Sequence, residues 1–411
     1  MNDETSSGDP APYPGPVPLV AATLSAQAAI TAGAVLFAVI APKLAADLGV
    51  NSLLIGYQVS LTYGTGMFSA ALLSVLIPRL GACRTMQVSL TLGAIGLAAT
   101  LFSTVTAIAL GSVLLGLGMG VMTPASSHLL YRFTAPRRRN LVFSLKQTGV
   151  PLGGLLPALI APPIALVVGW QWSVVLFLLW IVAMIVILQR SRGRWDDDRN
   201  PRTRLASGVF QGIATVWRDL PLRWLATGSF FFSFVQLSLT SFAVTMLVEE
   251  SDYGLIAAGL IFSLIQVSGG AARVFWGWLA DRSGRAVVML IVISTVMIAS
   301  CIATATMTSG WPLGAVCATF AIFGASAVGW NGVFLAEFAK LSPRGAAGVA
   351  TGGAMVWNFG GIMTGPAVFA TAYRFIGSYH LTFWMLAAVA AAGLFCIVQA
   401  RRLMGQPAAA H

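Results

Sequence analysis

The chain has 411 residues, 57% of them hydrophobic and only 9% charged, with a mean hydropathy of +0.83; soluble domains carry about 25% charged residues, so a soluble or disordered protein is excluded and a polytopic membrane protein is expected. The net charge of +11 does not point to nucleic acid, because the basic residues cluster in short loops between apolar runs. Cys83, Cys301, Cys317 and Cys396 are widely separated and form no CxxC pair, which suggests neither a disulfide framework nor a metal site.

Residues 1–18 open with MNDETSSGDPAPYPGP and read as a disordered cytoplasmic tail, since no basic start precedes the first apolar run as it would in a signal peptide. Runs of roughly 20 apolar residues, enough to cross a core of about 30 Å, then follow at 19–41, 53–77, 86–105, 108–131, 141–167, 172–189, 222–247, 255–277, 287–307, 313–336, 347–371 and 381–399. The expected fold is an all-α membrane protein of twelve helices, spans 1 to 12, in two pseudo-symmetric halves. Residues 19–189 form an N-terminal six-helix bundle and 222–400 a C-terminal one. The linker, 190–221, begins RSRGRWDDDRNPRTR and continues into a stretch with Leu205, Val209, Phe210, Ile213 and Trp217 on one side, read as a helix lying along the inner surface. Residues 401–411 are a cytoplasmic C-terminal tail.

With both termini cytoplasmic, Lys43 and Arg374 are the lone basic residues among 24 that fall in outer loops, which fixes the orientation in a cytoplasmic membrane. The two sets of six spans also resemble each other. Pro78-Arg79-Leu80-Gly81 aligns with Asp281-Arg282-Ser283-Gly284, while Pro136-Arg137 and Gly153-Gly154 align with Pro343-Arg344 and Gly360-Gly361. Parallel repeats of this kind are a transporter architecture, with the substrate near the midplane between the halves.

The segment GWLADRSGR, Gly277 to Arg285, resembles the loop signature of the major facilitator superfamily (MFS), and with the 6+6 layout the resemblance covers nearly the whole chain. It implies that Asp281, Arg282 and Arg285 make charge contacts that hold an inner gate. The first-half copy departs from the pattern, because Pro78 stands where the aspartate belongs. Arg273, four residues before Gly277, matches the position of a substrate-binding arginine in span 8 of monocarboxylate transporters and oxalate-type antiporters. SLKQTGVPLGG and GWNGVFLAEFAKLSP also look like stretches of bacterial cyanate-permease-like relatives.

A basic residue at a helix centre costs about 2.5 to 3.5 kcal/mol, so each one inside a span needs a reason. Lys146 lies roughly 9 Å beyond the start of span 5, and Arg273 roughly 12 Å before Asp281. Lys146 shares a face with Gly149, Gly153 and Pro157, which is a packing face rather than the lipid-facing strip from which a lysine would snorkel. Phe262, Gln266, Gly269, Gly270, Arg273 and Gly277 likewise share a face, and spans 1 to 8 offer no carboxylate at membrane depth with which Arg273 could pair. The resemblance implies that spans 5 and 8 pack across the two halves, which would bring both cations to one cavity. Two cations without a counter-charge make an anion site, the arginine supplying a bidentate fork and the lysine a point charge. Were they about 8 Å apart at an effective dielectric near 20, they would repel by about 2 kcal/mol. Lys146 is then expected to take up its proton as the anion arrives.

Gln27 and Thr31 of span 1, Tyr57 and Gln58 of span 2, Gln236 of span 7, Trp330 and Asn331 of span 10, and Trp357 and Asn358 of span 11 are further candidates to line the cavity; helix-to-helix hydrogen bonding is the competing role. Ser126, Ser127 and His128 lie in span 4, and His128 is a candidate proton relay near its inner end. Glu337 ends span 10, where pairing with Lys340, Arg344 or the basic residues around Asp281 is expected at the gate. The expected partners are a small anionic solute, protons and the lipid bilayer, with no cofactor, no metal, no nucleic acid and a monomeric state. An anion exchanger and a drug/proton antiporter are alternatives. Against the latter, residues 19–41 hold no acidic residue, and Val150 interrupts the Gly-Pro pair of the antiporter signature. A membrane sensor or enzyme finds no HExxH, nucleotide loop or sizeable soluble domain.

Overall fold

The computed structural model describes residues 16–73, 77–134, 142, 145–202, 209–308, 310–342 and 347–404. A chain this apolar has no water with which to satisfy its backbone, so helices, which satisfy it internally, are the expected solution. Helices run through each of the twelve expected segments: Pro16–Val39, Leu54–Leu73, Ala82–Thr100, Val105–Phe133, Leu145–Val167, Trp170–Trp195, Leu220–Glu249, Leu255–Ser283, Ala286–Ala305, Leu313–Ala327 continued by Asn331–Leu341, Ala347–Ile376 and Tyr379–Met404. Among the described residues nine of these are long and apolar enough to cross a membrane. Short helices Ala41–Leu48 and Ile77–Leu80 sit between spans, and Val209–Arg218 forms within the linker. Of the expected tails, residues 16–18 and 401–404 belong instead to the first and last helices, because the helical run of each span continues past its apolar stretch, while 1–15, 405–411, Leu205, Arg137 and Arg344 lie outside the described residues.

Between apolar helices in lipid there is little hydrophobic drive, and close backbone contact takes its place. Glycines supply it here, and four of their seams pair off between the two halves. Gly149 and Gly153 of span 5 lie against the carbonyls of Leu24 and Ala28 in span 1. Gly361 and Gly365 of span 11 lie in the same way against the carbonyls of Phe230 and Phe234 in span 7. Gly116 and Gly120 of span 4 meet the carbonyls of Thr62 and Gly66 in span 2, and Gly324 of span 10 meets that of Ile265 in span 8. Spans 1 and 5 therefore mirror 7 and 11, and spans 2 and 4 mirror 8 and 10, so the sequence repeat is also a packing repeat.

Among the described residues the halves meet through span 2 against spans 7 and 11 and through span 5 against span 8. Span 2 packs on span 11, and Gly56 sits so close to Phe242 and to the Pro366 carbonyl that a Cβ would lie 2.6 Å from each. Tyr57 and Thr371 share a hydrogen bond at 3.0 Å, and Ser52 and Tyr379 another at 3.2 Å. Arg374 lies over the Tyr57 ring, 5.6 Å from its centre. Among the described residues no ion pair crosses between the halves. These contacts join the halves at the end of the bundle that the positive-inside pattern assigns to the outer side.

The seams predict sharply different responses to the smallest side chain. Gly361→Ala drives a methyl into the Phe230 carbonyl and is expected to lower the melting temperature in detergent by roughly 5 °C. Gly314→Ala, where nothing lies within 4 Å, should leave it unchanged; equal melting of the two variants would refute the seam.

Candidate functional site

Spans 5 and 8 form the cross-half seam nearest the two cations. Gly259 lies against the Ala158 carbonyl, the Gln266 amide lies against the backbone of Gly154, and Gly270 faces Pro151. Carried a further turn inward, this antiparallel register puts Arg273 level with Thr148, so Lys146 and Arg273 lie on the inner side of the seam within about 3 Å of the same depth.

The faces agree. Around span 5, Lys146 falls between the glycines that meet span 1 and the residues, Pro151 and Gly154, that meet span 8. Around span 8, Arg273 falls between Gln266 and Gly270, which meet span 5, and Gly269 and Trp276, which meet span 10. Lys146 is 1% exposed, so it does not snorkel to solvent in this conformation. Its ammonium donates to Gln147 Oε1 at 3.2 Å. Arg273 donates through Nε to the Val328 carbonyl at 3.1 Å, which leaves the two terminal nitrogens of its fork. Among the described residues neither cation is ion-paired.

The other candidates separate into groups. Gln27 lies against Gly149, one turn from Lys146; its amide donates to Thr31 and accepts from Thr123, at 3.3 and 3.1 Å. Thr123 was not singled out from the sequence, although the neighbouring Pro124 marks an irregular turn there. Gln236 is joined to Trp330 and Asn331 in one cluster, and Gln266 is 7% exposed. Trp330 is wholly buried, so it stands behind the wall of any cavity rather than on it. Asn358 is 7% exposed, and Trp357 stacks on Trp217 of the linker helix with ring centres 6.4 Å apart.

Tyr57 and Gln58 belong elsewhere. Both line an apolar pocket of about 180 Å³ at the outer end of the first half, with Phe37, Leu44 and Ile108. Gln58 donates to Thr62 and Ser112 and so ties span 2 to span 4.

His128, expected as a proton relay, faces the linker. Its Nε2 is 2.8 Å from Asp198, and Arg132 pairs with both Asp197 and Asp198. Asp196 accepts the backbone N–H groups of Cys83 and Arg84, at 2.7 and 2.9 Å, capping span 3. Burial pushes its carboxyl above the ordinary range, and the two amides work against that shift. Asn200 N–H donates to the Pro78 carbonyl at 2.7 Å. The loop in which Pro78 replaces the expected aspartate is thus held by the linker, through the Asp196 carboxylate and the Asn200 N–H.

In the second half Glu337 pairs with Lys340 at 3.7 Å, and Arg282 lies over the Trp278 ring, 5.7 Å from its centre. Arg285 is exposed. The Asp281 side chain and Arg344 lie outside what is described, as do any gate contacts they make.

Residues 23–366 match the family model of the Major Facilitator Superfamily. Over 278 residues the chain is 24% identical to the "Probable hexose phosphate transport protein" of Chlamydia trachomatis, covering 59% of each. Over 173 residues it is 25% identical to an uncharacterised MFS-type transporter of Mycobacterium tuberculosis, covering 41% of this chain and 37% of that one. The matches therefore span less than two thirds of these relatives. Among solved structures it superposes on a POT family transporter in complex with 5-aminolevulinic acid with a TM-score of 0.76 at 14% identity, covering 94% and 96% of the two chains. It also superposes on an inward-facing bacterial homologue of Spinster with a TM-score of 0.71 at 14% identity, covering 95% of each. Likeness at that identity establishes the fold.

The Asp196 cap yields a prediction. Loss of a helix cap costs about 0.5 to 2 kcal/mol, so Asp196→Ala should lower the melting temperature in detergent, and Asp196→Asn, which keeps one acceptor, should lower it less. Wild-type melting of Asp196→Ala would show that the cap contributes nothing.

Proposed function

The chain belongs to the Major Facilitator Superfamily, and from that premise we propose that it is a secondary carrier of a small organic anion, most simply a monocarboxylate, moved by alternating access. The observation that carries this reading is the pair Lys146 and Arg273, at matched depth on the inner side of the span 5 and span 8 seam and without an ion-paired carboxylate among the described residues. The free fork of Arg273 suits a carboxylate, and Lys146 adds a second charge from the other half. Gln27, Thr31 and Gln266 flank the pair and supply neutral hydrogen-bonding groups. Rocking of the halves would present the pair to each side in turn.

Coupling to protons follows from the burial of Lys146. A lone ammonium is costly to bury and an arriving anion stabilises it, so anion binding and proton uptake at this nitrogen are thermodynamically linked. The carrier works as a monomer in the cytoplasmic membrane, with both termini on the cytoplasmic side.

A phosphate ester is the second reading, favoured by the names of the Chlamydia relatives. Its dianion would engage both cations fully, where a monocarboxylate needs chiefly the arginine.

Uptake and counterflow in proteoliposomes with labelled monocarboxylates, dicarboxylates, hexose phosphates and inorganic anions test the reading. Saturable transport of anions is expected, and saturable transport of cations alone would overturn it. Arg273→Lys keeps the charge but loses the fork, and should raise the half-saturation concentration about tenfold or more. Lys146→Gln should abolish accumulation driven by a pH gradient while counterflow persists; undiminished pH-driven accumulation would remove Lys146 from the coupling.

A further inference from the structure

The tenth span is not continuous. Its first piece ends at Ala327 and its second begins at Asn331, deep in the second half. A break of this kind leaves carbonyls at the end of one piece and N–H groups at the start of the next without helical partners, and in an apolar interior they need others.

Two neighbouring spans hold the break from opposite sides, span 8 by donating to its carbonyls and span 7 by accepting from its side chains. Span 8 holds the end of the first piece, where Trp276 Nε1 donates to the Ala325 carbonyl at 2.9 Å and Arg273 Nε donates to the Val328 carbonyl at 3.1 Å. Span 7 holds the start of the second, where Gln236 Oε1 accepts from Trp330 Nε1 at 3.1 Å and from Asn331 Nδ2 at 3.3 Å. Trp330 is wholly buried and packs edge-on against Phe232 and Phe334, with ring centres 5.3 and 5.4 Å away. Its indole N–H is committed to Gln236 and is not available to a solute. Gly332, with no side chain to interpose, has the Arg273 carbonyl 3.7 Å from where its Cβ would stand.

We infer that Gln236 is a positioning residue for Arg273: by fixing Trp330 and Asn331 it holds the break in span 10 in the shape that lets the Val328 carbonyl aim the guanidinium. The anchor uses Nε alone, so the plane of the guanidinium is set while both terminal nitrogens stay free as a bidentate fork. The end of a helix piece also favours a cation, which keeps the arginine charged at the break. Without the Gln236 acceptor a buried indole N–H loses its partner, the break relaxes, and the fork turns away from the anion. This rests on the proposed reading of Arg273 as the anion's partner, and it assigns Gln236, Trp330 and Asn331 to the support of that residue rather than to the solute.

The test uses the full-length carrier in proteoliposomes with labelled lactate. Gln236→Leu and Arg273→Lys should each raise the half-saturation concentration about tenfold, with maximal rates within about twofold of wild type. The double variant should be no weaker than Arg273→Lys alone, because lysine has no fork to orient. Trp330→Phe should act in the same direction and less strongly, and serves if Gln236→Leu fails to fold. Multiplying losses in the double variant, or a Gln236→Leu carrier that is slower at unchanged half-saturation, would overturn the inference. Amide hydrogen exchange over residues 328–334 should quicken in Gln236→Leu and in Trp330→Phe, and unchanged exchange would overturn it too. Should the wild type take up no anion, the anion reading fails, and the exchange measurement still decides whether Gln236 holds the break.

Discussion

Backbone-to-backbone contact through glycine is the constraint on which the rest of this molecule rests. In lipid, apolar side chains gain little by leaving one hydrocarbon surface for another, so helices stay together where their main chains come close enough for dispersion and carbonyl contacts to add up. Gly149 and Gly153 against span 1, and Gly361 and Gly365 against span 7, are the clearest cases. The same contact fixes the geometry of the proposed site. Close approach of span 5 to span 1, and of span 8 to span 5 through Gly154, Gly259 and Gly270, leaves Lys146 and Arg273 flanking a seam rather than facing lipid.

The two membrane surfaces are organised by different forces. At the outer level the halves meet through rings, hydroxyls and one cation over an aromatic face, contacts that can break without stranding a buried charge. At the inner level, among the described residues, Asp196, Asp197 and Asp198 tie the linker to spans 3 and 4 of the first half, and Glu337 pairs with Lys340 within the second. Such ties suit a half that moves as one body, as the proposed rocking of two halves requires.

Much of this was legible in the residues. The twelve apolar runs and the repeat joining Gly153-Gly154 to Gly360-Gly361 stand in the sequence, and the helices and seams follow them. The depths of Lys146 and Arg273 could be counted at 1.5 Å per residue. The assignment of neutral polar residues was less secure. Gln58 and Gln236 are both glutamines inside apolar runs, yet one ties two spans of the first half and the other braces a broken helix in the second.

What the sequence determined by itself is whatever depends on position along one helix: which segments are apolar enough to form long helices, and how far along each helix a charge lies. The tertiary structure decided the partners. Asp196 caps a helix that begins more than a hundred residues earlier, His128 faces the linker, and the Val328 carbonyl accepts from Arg273 because span 10 is interrupted beside it. The reason is physical. A face lined with glycine, serine or glutamine records that some neighbour must come close, but in hydrocarbon many neighbours satisfy that need equally, and only the packed bundle selects among them.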